Sequence, residues 1–408
     1  MQTPLLTESL LSIAEKDPFA FYEAARALGP VVWDERMQSW LVLSAECCKQ
    51  VELDEEAFHN GYRDAPADVI EVKGGRRVIT LLHGPEHIRM RQFHMTLFTR
   101  QALAAYRERD VLPVLHHLLD KLAGRTHADL ATELCDKLPT RVIASLLGLP
   151  WRDDALMERA FHLHQEIALW IGLRYVDPTL DERALAASRK LNEMLHPYVL
   201  SARDASGDDL MGRIWREAPA MIDNFSTEDA VSVCREIFFG GSDTSVHAIA
   251  NALYLALTDP VARCTVEQGE PATLSAFVEE ALRLLGSIQY RTRVARHDRR
   301  LGGVDIKSGD RLTLLHAAAN RDGAVYECPA NLSLARPRPQ DHFAFNKGPR
   351  TCVGAGLARA EIESTVTGVL ARLRNIRFDP HAKRPIFSGF YVRSYRPLNV
   401  QFDAVEAV

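Results

Sequence analysis

Helical patterning of apolar and polar positions runs through most of the chain, cut into segments by Gly, Pro and Asp-Pro. Asp17-Pro18 opens a short helix through Ala27, which Gly29-Pro30 stops. Val31 to Glu35 and Trp40 to Ser44 predict a small hairpin, and Ala45 to Leu53 a helix. Residues 55 to 83 read as largely irregular: Asn60-Gly61, Gly74-Gly75 and Pro66, flanked by Asp64 and Asp68, are turn chemistry. A loop of that length in a compact domain is usually a binding loop or lid. Gly84 to Ser201 is mostly helical, broken at Gly148-Leu149-Pro150 and Asp177-Pro178. Strand patterns fall at Arg300 to Ile306, Arg311 to Leu315, Ile376 to Phe378 and Leu398 to Phe402. The expected class is mainly α with minor β sheets.

One segment exceeds the usual helix length of about 11–12 residues. Ser226 with Asp229 three positions on is a capping signature, and Asp259-Pro260 closes the run. At about 1.5 Å per residue, the roughly 32 residues between them span about 48 Å. Its middle reads Gly240-Gly241-Ser242-Asp243-Thr244-Ser245. Two glycines inside a helix cost about 1 kcal/mol each relative to Ala. They fit either a close helix–helix crossing or a flat ligand lying on the helix, with a locally opened turn exposing polar groups.

Composition adds limits. The chain has 408 residues, 47% hydrophobic and 25% charged, with a net charge of −5, which does not favour nucleic acid as a partner. It has no Pro/Ser/Gly-rich linker or repeat, so residues 1–408 are expected to form one large unit despite a length that ordinarily suggests two or three domains. Seven scattered cysteines without a CxxC pair fit a reducing cytoplasm. The N-terminal stretch has acids among its apolar residues and no basic region, so it reads as neither signal peptide nor membrane anchor.

The chemistry concentrates in His342 to Ile362, HFAFNKGPRTCVGAGLARAEI. Asn346, Gly348 and Pro349 make a loop, and Val353 to Ile362 reads as the start of a helix. Cys352 therefore sits where a tight loop enters a helix N-terminus, a setting that lowers a thiol pKa. Gly348 and Gly354 would let the backbone approach something flat, and Arg350 could hold an anion. A buried structural cysteine is the plainer alternative. The pattern Phe345-x-x-Gly348-x-Arg350-x-Cys352-x-Gly354 resembles the haem-binding loop of the cytochrome P-450 family, with Asn346 where bacterial members commonly have Gly. The resemblance implies that Cys352 is the axial thiolate ligand of a haem b iron. It also implies the fold of that family, a single large domain shaped like a triangular prism.

Other segments extend the resemblance from about Pro18 to Phe402. Gly240-Gly241-Ser242-Asp243-Thr244 is similar to the family's oxygen-binding groove, where the residues matching Asp243 and Thr244 relay protons toward bound dioxygen. Glu280 and Arg283 resemble the buried E-x-x-R pair; by spacing alone they would be a surface pair worth about 0.3–0.5 kcal/mol. His87 and Arg91, four apart on one helix face, resemble the family's propionate-binding H-x-x-x-R. Arg293 matches a further propionate-binding arginine, and Ala319-Asn320-Arg321-Asp322 a structural segment. The resemblance implies a distal pocket formed by the 59–83 loop, the 161–175 stretch, the central helix, the segment after Arg283 and the Phe387 to Ser394 stretch. Phe239, Gly240, Ile288, Gln289, Tyr391 and Val392 match substrate-contact regions. Their apolar and aromatic character suggests a compact hydrophobic substrate of aromatic or terpenoid type. Glu236, about one turn before the glycines, reads as core-paired or solvated, or else as facing that pocket.

The implied activity is that of a monomeric cytoplasmic haem-dependent monooxygenase. It would insert one oxygen atom of O2 into the substrate, using electrons from a separate ferredoxin and its reductase. Arg89, Arg100, Lys347 and Arg359 could form a docking patch for the ferredoxin, or be ordinary solvated charge. Alternatives are a peroxygenase and a haem protein that binds without oxygenating. The Asp243-Thr244 pair argues against both. A cysteine hydrolase lacks a His/Asn partner signature.

Overall fold

Ser226 N–H donates to Asp229 Oδ2 at 3.0 Å, and Asp229 N–H donates to Ser226 Oγ at 3.2 Å. This reciprocal cap starts a continuous 32-residue helix, Thr227–Thr258. Asp259 follows it and caps the next helix, Pro260–Gln268, through the amides of Val261 and Ala262. The computed structural model describes residues 6, 8–13, 16–62, 65–205 and 207–404. Asp64 and most of the first seven residues, read above from sequence, lie outside that set.

The described residues divide into two compact units. One comprises Gly61 and the residues before it, Ala250–Cys352 and Pro380–Leu398. It holds a five-stranded sheet in the order Val31–Asp34, Ser39–Val42, Arg311–Leu314, Arg291–Ala295 and Phe58–His59. All pairs are antiparallel except Ser39–Val42 with Arg311–Leu314. Val42, Leu312, Leu314 and Phe58 pack with Cys48, Val51 and Phe343 in one buried cluster. Cys48 and Val51 belong to the helix Ala45–Leu53, whose start is fixed by Ser44 Oγ on the Cys47 amide and Asp322 Oδ2 on the Ala45 amide. This helix lies where sequence placed it, and its last turn carries Glu52 into the interior.

The same unit contains the helix Pro271–Leu284 with Glu280 and Arg283, both fully buried. Arg283 Nε lies 2.6 Å from Glu280 Oε1, and its other nitrogens reach the carbonyls of Asn320, Pro329 and Asn331. Arg336 Nε makes a second contact to Glu280 at 2.9 Å. Breaking such a buried pair typically costs about 3–5 kcal/mol. The buried structural pair that the resemblance implies is thus found, and not the surface pair of spacing alone; it anchors the 320–336 loop. Asn320 extends it by accepting the Phe343 amide at 2.7 Å.

The other unit comprises Tyr62–Ile249, Val353–Asp379 and the residues from Asn399 on. Its helices include Gly84–Leu97, Leu138–Leu147, Asp154–Leu173, Leu180–Ala202 and Ala355–Arg372. The predicted break at 148 is real: Gly148 takes φ 80° and closes Leu138–Leu147. A small sheet pairs Asn399–Gln401 with His127–Asp129 and Arg377–Phe378; the strand at 127–129 is too short to leave a sequence pattern. The 55–83 stretch is less irregular than expected, since Ala67–Lys73 is helical. A tertiary contact overrides local turn chemistry here. Arg235 donates to the carbonyls of Glu71 and Val72 at 3.2 and 2.6 Å, placing a cation on the helix C-terminus.

Candidate active site

The cysteine loop is shaped by three backbone bonds. Asn346 N–H donates to Phe343 O, Thr351 N–H to Gly348 O, and Cys352 N–H to Phe345 O at 2.8 Å. Asn346 sits at φ 58° and Gly348 at φ 67°. A Cβ on Gly348 would come within 2.9 Å of Leu53 and 3.1 Å of the Glu52 carbonyl. Gly348 therefore serves packing against the helix Ala45–Leu53, which corrects the expectation that it makes room for a flat group. Cys352 is exposed and none of the seven cysteines is in a disulfide. Gly354, two residues on, is the N-cap of Ala355–Arg372.

Cations gather behind this loop. Arg293 is 6% exposed, and its nearest carboxylate is Glu52 at 3.8 Å. Burial, with Arg291 and Arg350 close by, lowers its pKa against the opposing pull of Glu52 and Glu55. Arg350 pairs with Glu55 through Nε. Glu52 also lies 3.0 Å from His316 Nε2 and accepts the Lys347 amide at 2.8 Å. Burial raises the Glu52 pKa, but His316, Arg293 and that amide together bring it below its ordinary value. Among the described residues Arg291, Arg293 and Arg350 thus gather near Glu52 and Glu55, and Glu52 is wholly buried.

On the central helix the two glycines do different jobs. A Cβ on Gly241 would fall 2.5 Å from Ile143 on Leu138–Leu147, so this glycine permits a helix crossing. A Cβ on Gly240 would meet nothing within 4 Å, and Gly240 is exposed although it lies mid-helix. Thr244, one turn on, is partly exposed, and Asp243 beside it is buried. The turn is not opened, contrary to expectation. Thr244 Oγ1 donates to the Gly240 carbonyl at 3.2 Å and Ser242 Oγ to the Phe238 carbonyl at 2.7 Å, so the polar groups are added to intact helix bonds. Glu236 is core-paired: it accepts the amides of Ile79 at 2.7 Å and Thr80 at 3.4 Å.

His87 is buried and Arg91 partly buried on one face of Gly84–Leu97. In the first unit Ile288 bridges Val392, and Gln289 N–H donates to Tyr391 O at 2.9 Å, so these four residues form one patch. Gln289 itself points inward, its amide engaged by Tyr22 and by the Gly286 carbonyl. Phe345 and Tyr391 complete the first unit's set, with Tyr391 packed on Tyr290 at 5.3 Å. His87, Arg91, Phe239, Gly240, Asp243, Thr244 and Gly354 belong to the other unit.

Residues 272–397 match the family model for cytochrome P450. The C-19 steroid 1alpha-hydroxylase of Sorangium cellulosum is 29% identical, over 93% of each chain. The solved structure of cytochrome P450 260B1 from the same species superposes with a TM-score of 0.85, at 25% identity over 98% of this chain and 100% of that one. CYP109E1 from Bacillus megaterium, in complex with testosterone, gives 0.83 at 23% identity over 97% and 100%. The chain belongs to the cytochrome P450 family. It is a haem b monooxygenase of the bacterial kind, which takes small substrates and O2 and works with a redox partner. Among the described residues no helix is long and apolar enough to cross a membrane.

The P450 residues present fit a haem. The cluster of guanidiniums around Arg293 is chemistry that suits the two propionates. Cys352 of the same unit is an exposed residue that would supply the thiolate, and in the other unit Gly240 is an exposed helix position of the kind a flat ring needs. Sequence reasoning missed Glu52, Glu55, Arg291 and Glu361. Glu361 is wholly buried, with Ser245 beside it, and burial raises its pKa to about 8. An acid in the first turns of an otherwise ordinary helix gives no sequence signal of such burial.

Proposed function

We propose that this P450 hydroxylates a compact polycyclic or terpenoid-like substrate, with Cys352 as the haem ligand and Asp243 and Thr244 as its proton-handling pair. The carrying observation is the open stripe at Gly240 and Thr244 on a helix whose neighbouring positions are largely buried. The haem, when bound, supplies the iron at which O2 is activated for insertion of one oxygen atom. Cys352 Sγ would ligate it as thiolate. Arg91, Arg293, Arg350 and His87 would neutralise the propionates. Arg291, held in the same cluster, would add a further donor. The Thr244 hydroxyl, which donates its one proton to the Gly240 carbonyl, would turn from that bond to present the proton toward the open side, and the Asp243 carboxyl would replace it.

Ile288, Tyr391 and Val392, one patch of the first unit, would supply apolar walls for the substrate, and Phe239 is the apolar candidate on the central helix. The steroid hydroxylase among the relatives supports a polycyclic skeleton. Electrons would come from a separate ferredoxin, to a cytoplasmic monomer. The peroxygenase alternative is disfavoured by the acid and alcohol at 243 and 244.

The test is spectroscopic and chemical. Reduced protein under CO should show the red-shifted Soret band, a family property, and Cys352→His and Cys352→Ala should lose it. With ferredoxin, reductase and NADH, a steroid panel should yield hydroxylated product. A band retained in both variants would remove Cys352 as the ligand.

A further inference from the structure

His164 lies in the helix Asp154–Leu173 and is wholly buried, yet among the described residues neither ring nitrogen has a hydrogen-bond partner. Leaving a buried polar group unpaired is destabilising, so its presence here calls for a reason. The ring meets Phe238 edge-on at 4.8 Å and Phe239 at 5.6 Å. Phe238 is sealed in the core, whereas Phe239 is partly exposed and directly precedes Gly240, beside which the space is open. The imidazole therefore packs against a ring that is itself partly exposed and belongs to the residue next to Gly240. Burial, with Arg235 nearby, lowers the His164 pKa to about 3. The ring is neutral, so one nitrogen can donate and the other accept. Arg235 is committed to the carbonyls of Glu71 and Val72 and offers no charge to an anion at this place.

We propose that His164 is a concealed polar anchor for the substrate, bonding a hydroxyl or ketone oxygen on an otherwise apolar skeleton once the Phe239 ring turns aside. The inference rests on the substrate reading above and narrows it to neutral oxygenated molecules, excluding bare hydrocarbons and carboxylates as preferred ligands. A site built to bond an oxygen discriminates against the analogue that lacks it, because the polar group is then left unpaired.

The experiment uses the haem-loaded enzyme and three probes: 5α-androstane, 5α-androstan-17β-ol and 5α-androstan-17-one. Affinities are read by equilibrium dialysis and by the haem difference spectrum. The parent should bind an oxygenated probe about tenfold or more tightly than the hydrocarbon. His164→Phe should bind the hydrocarbon as before, lose that preference, and melt no lower than the parent, since an unpaired polar group has been removed. Phe239→Ala, which uncovers the imidazole, should widen the preference and guards against a His164 variant that fails to fold. Equal affinity of the parent for all three probes, including no uptake, overturns the proposal. So does a preference kept in His164→Phe, a clear fall in its Tm, or a preference unchanged in Phe239→Ala. A parent lacking the CO band fails the functional reading instead, and this is seen before any probe is added.

Discussion

Asn346 Oδ1 accepts a hydrogen bond from Arg291 Nε at 3.2 Å, while the same side chain's Nδ2 donates to the Arg350 carbonyl at 3.2 Å. Arg291 in turn reaches the Tyr391 hydroxyl. Asn346 thus ties the cysteine loop to the sheet that carries Arg293 and to the turn before Arg393–Arg396. It does so from φ 58°, a conformation that Gly adopts freely and Asn tolerates. The Asn-for-Gly departure from the family pattern is therefore compatible with the loop and adds two bonds.

Asn346→Gly should keep the backbone and lose the bonds, costing about 1–2 kcal/mol. Asn346→Ala loses the bonds and is also strained at positive φ, so it should cost about 2–4 kcal/mol. Denaturant unfolding of the haem-loaded protein measures both. Equal losses would mean that the left-handed backbone does not decide the choice of residue.

Arg91, Arg293 and Arg350 are each expected to matter for cofactor retention. A charge-assisted bond is worth about 1.5–3 kcal/mol, so each Arg→Ala should weaken haem binding about tenfold or more. Arg293→Ala should be the most damaging, because it also strips a partner from the buried Glu52. Haem transfer to apomyoglobin gives the rates. Parent-like retention in all three variants would contradict the assignment.

Glu361 predicts a pH dependence of stability. Its carboxyl is raised by burial from 4.5 to about 8. Below about its unfolded value it is protonated in both states. As pH climbs toward about 8 the unfolded chain ionises first, so folding loses up to about 1.4 kcal/mol per pH unit, and the loss levels off above that. Glu361→Gln removes this slope. Denaturant midpoints at about pH 5 and pH 8 should converge in the variant relative to the parent. Parallel behaviour of the two proteins would sink the idea.

What sequence could reveal follows from where the information lies. The cap at Ser226 and Asp229, the stops at Gly148 and Asp259, and the helix Ala45–Leu53 are local, and each was legible. The split roles of Gly240 and Gly241 were not. Both alternatives were visible in the sequence, but only the position of Ile143 assigns the crossing to one glycine and the open space to the other. The helix Ala67–Lys73 was missed because Arg235, more than 160 positions away, stabilises its end. Glu52 and Glu361 were missed because burial of a single acid leaves no periodic trace. Gly348 was misread because its neighbour is Leu53, far upstream in the chain.

Asp243 and Thr244 should govern the coupling of electrons to product more than substrate binding. Among the described residues Thr244 Oγ1 bonds the carbonyl one turn back, and its side chain is partly open, so Thr244→Ala leaves helix and walls intact. Substrate affinity should change little, while reducing equivalents are diverted to hydrogen peroxide. Asp243 is buried, and an amide there cannot pass a proton on, so Asp243→Asn should slow turnover with less leakage. General acid assistance of this type is worth about 10²–10⁴-fold, which sets the scale for the combined loss of product rate. NADH consumed, product formed and peroxide released are measured together, with substrate and competent redox partners. A Thr244→Ala enzyme that stays tightly coupled at the parent rate would remove the relay. Thr244 would then be left with only its bond to the Gly240 carbonyl, and the open space beside that glycine would serve binding alone.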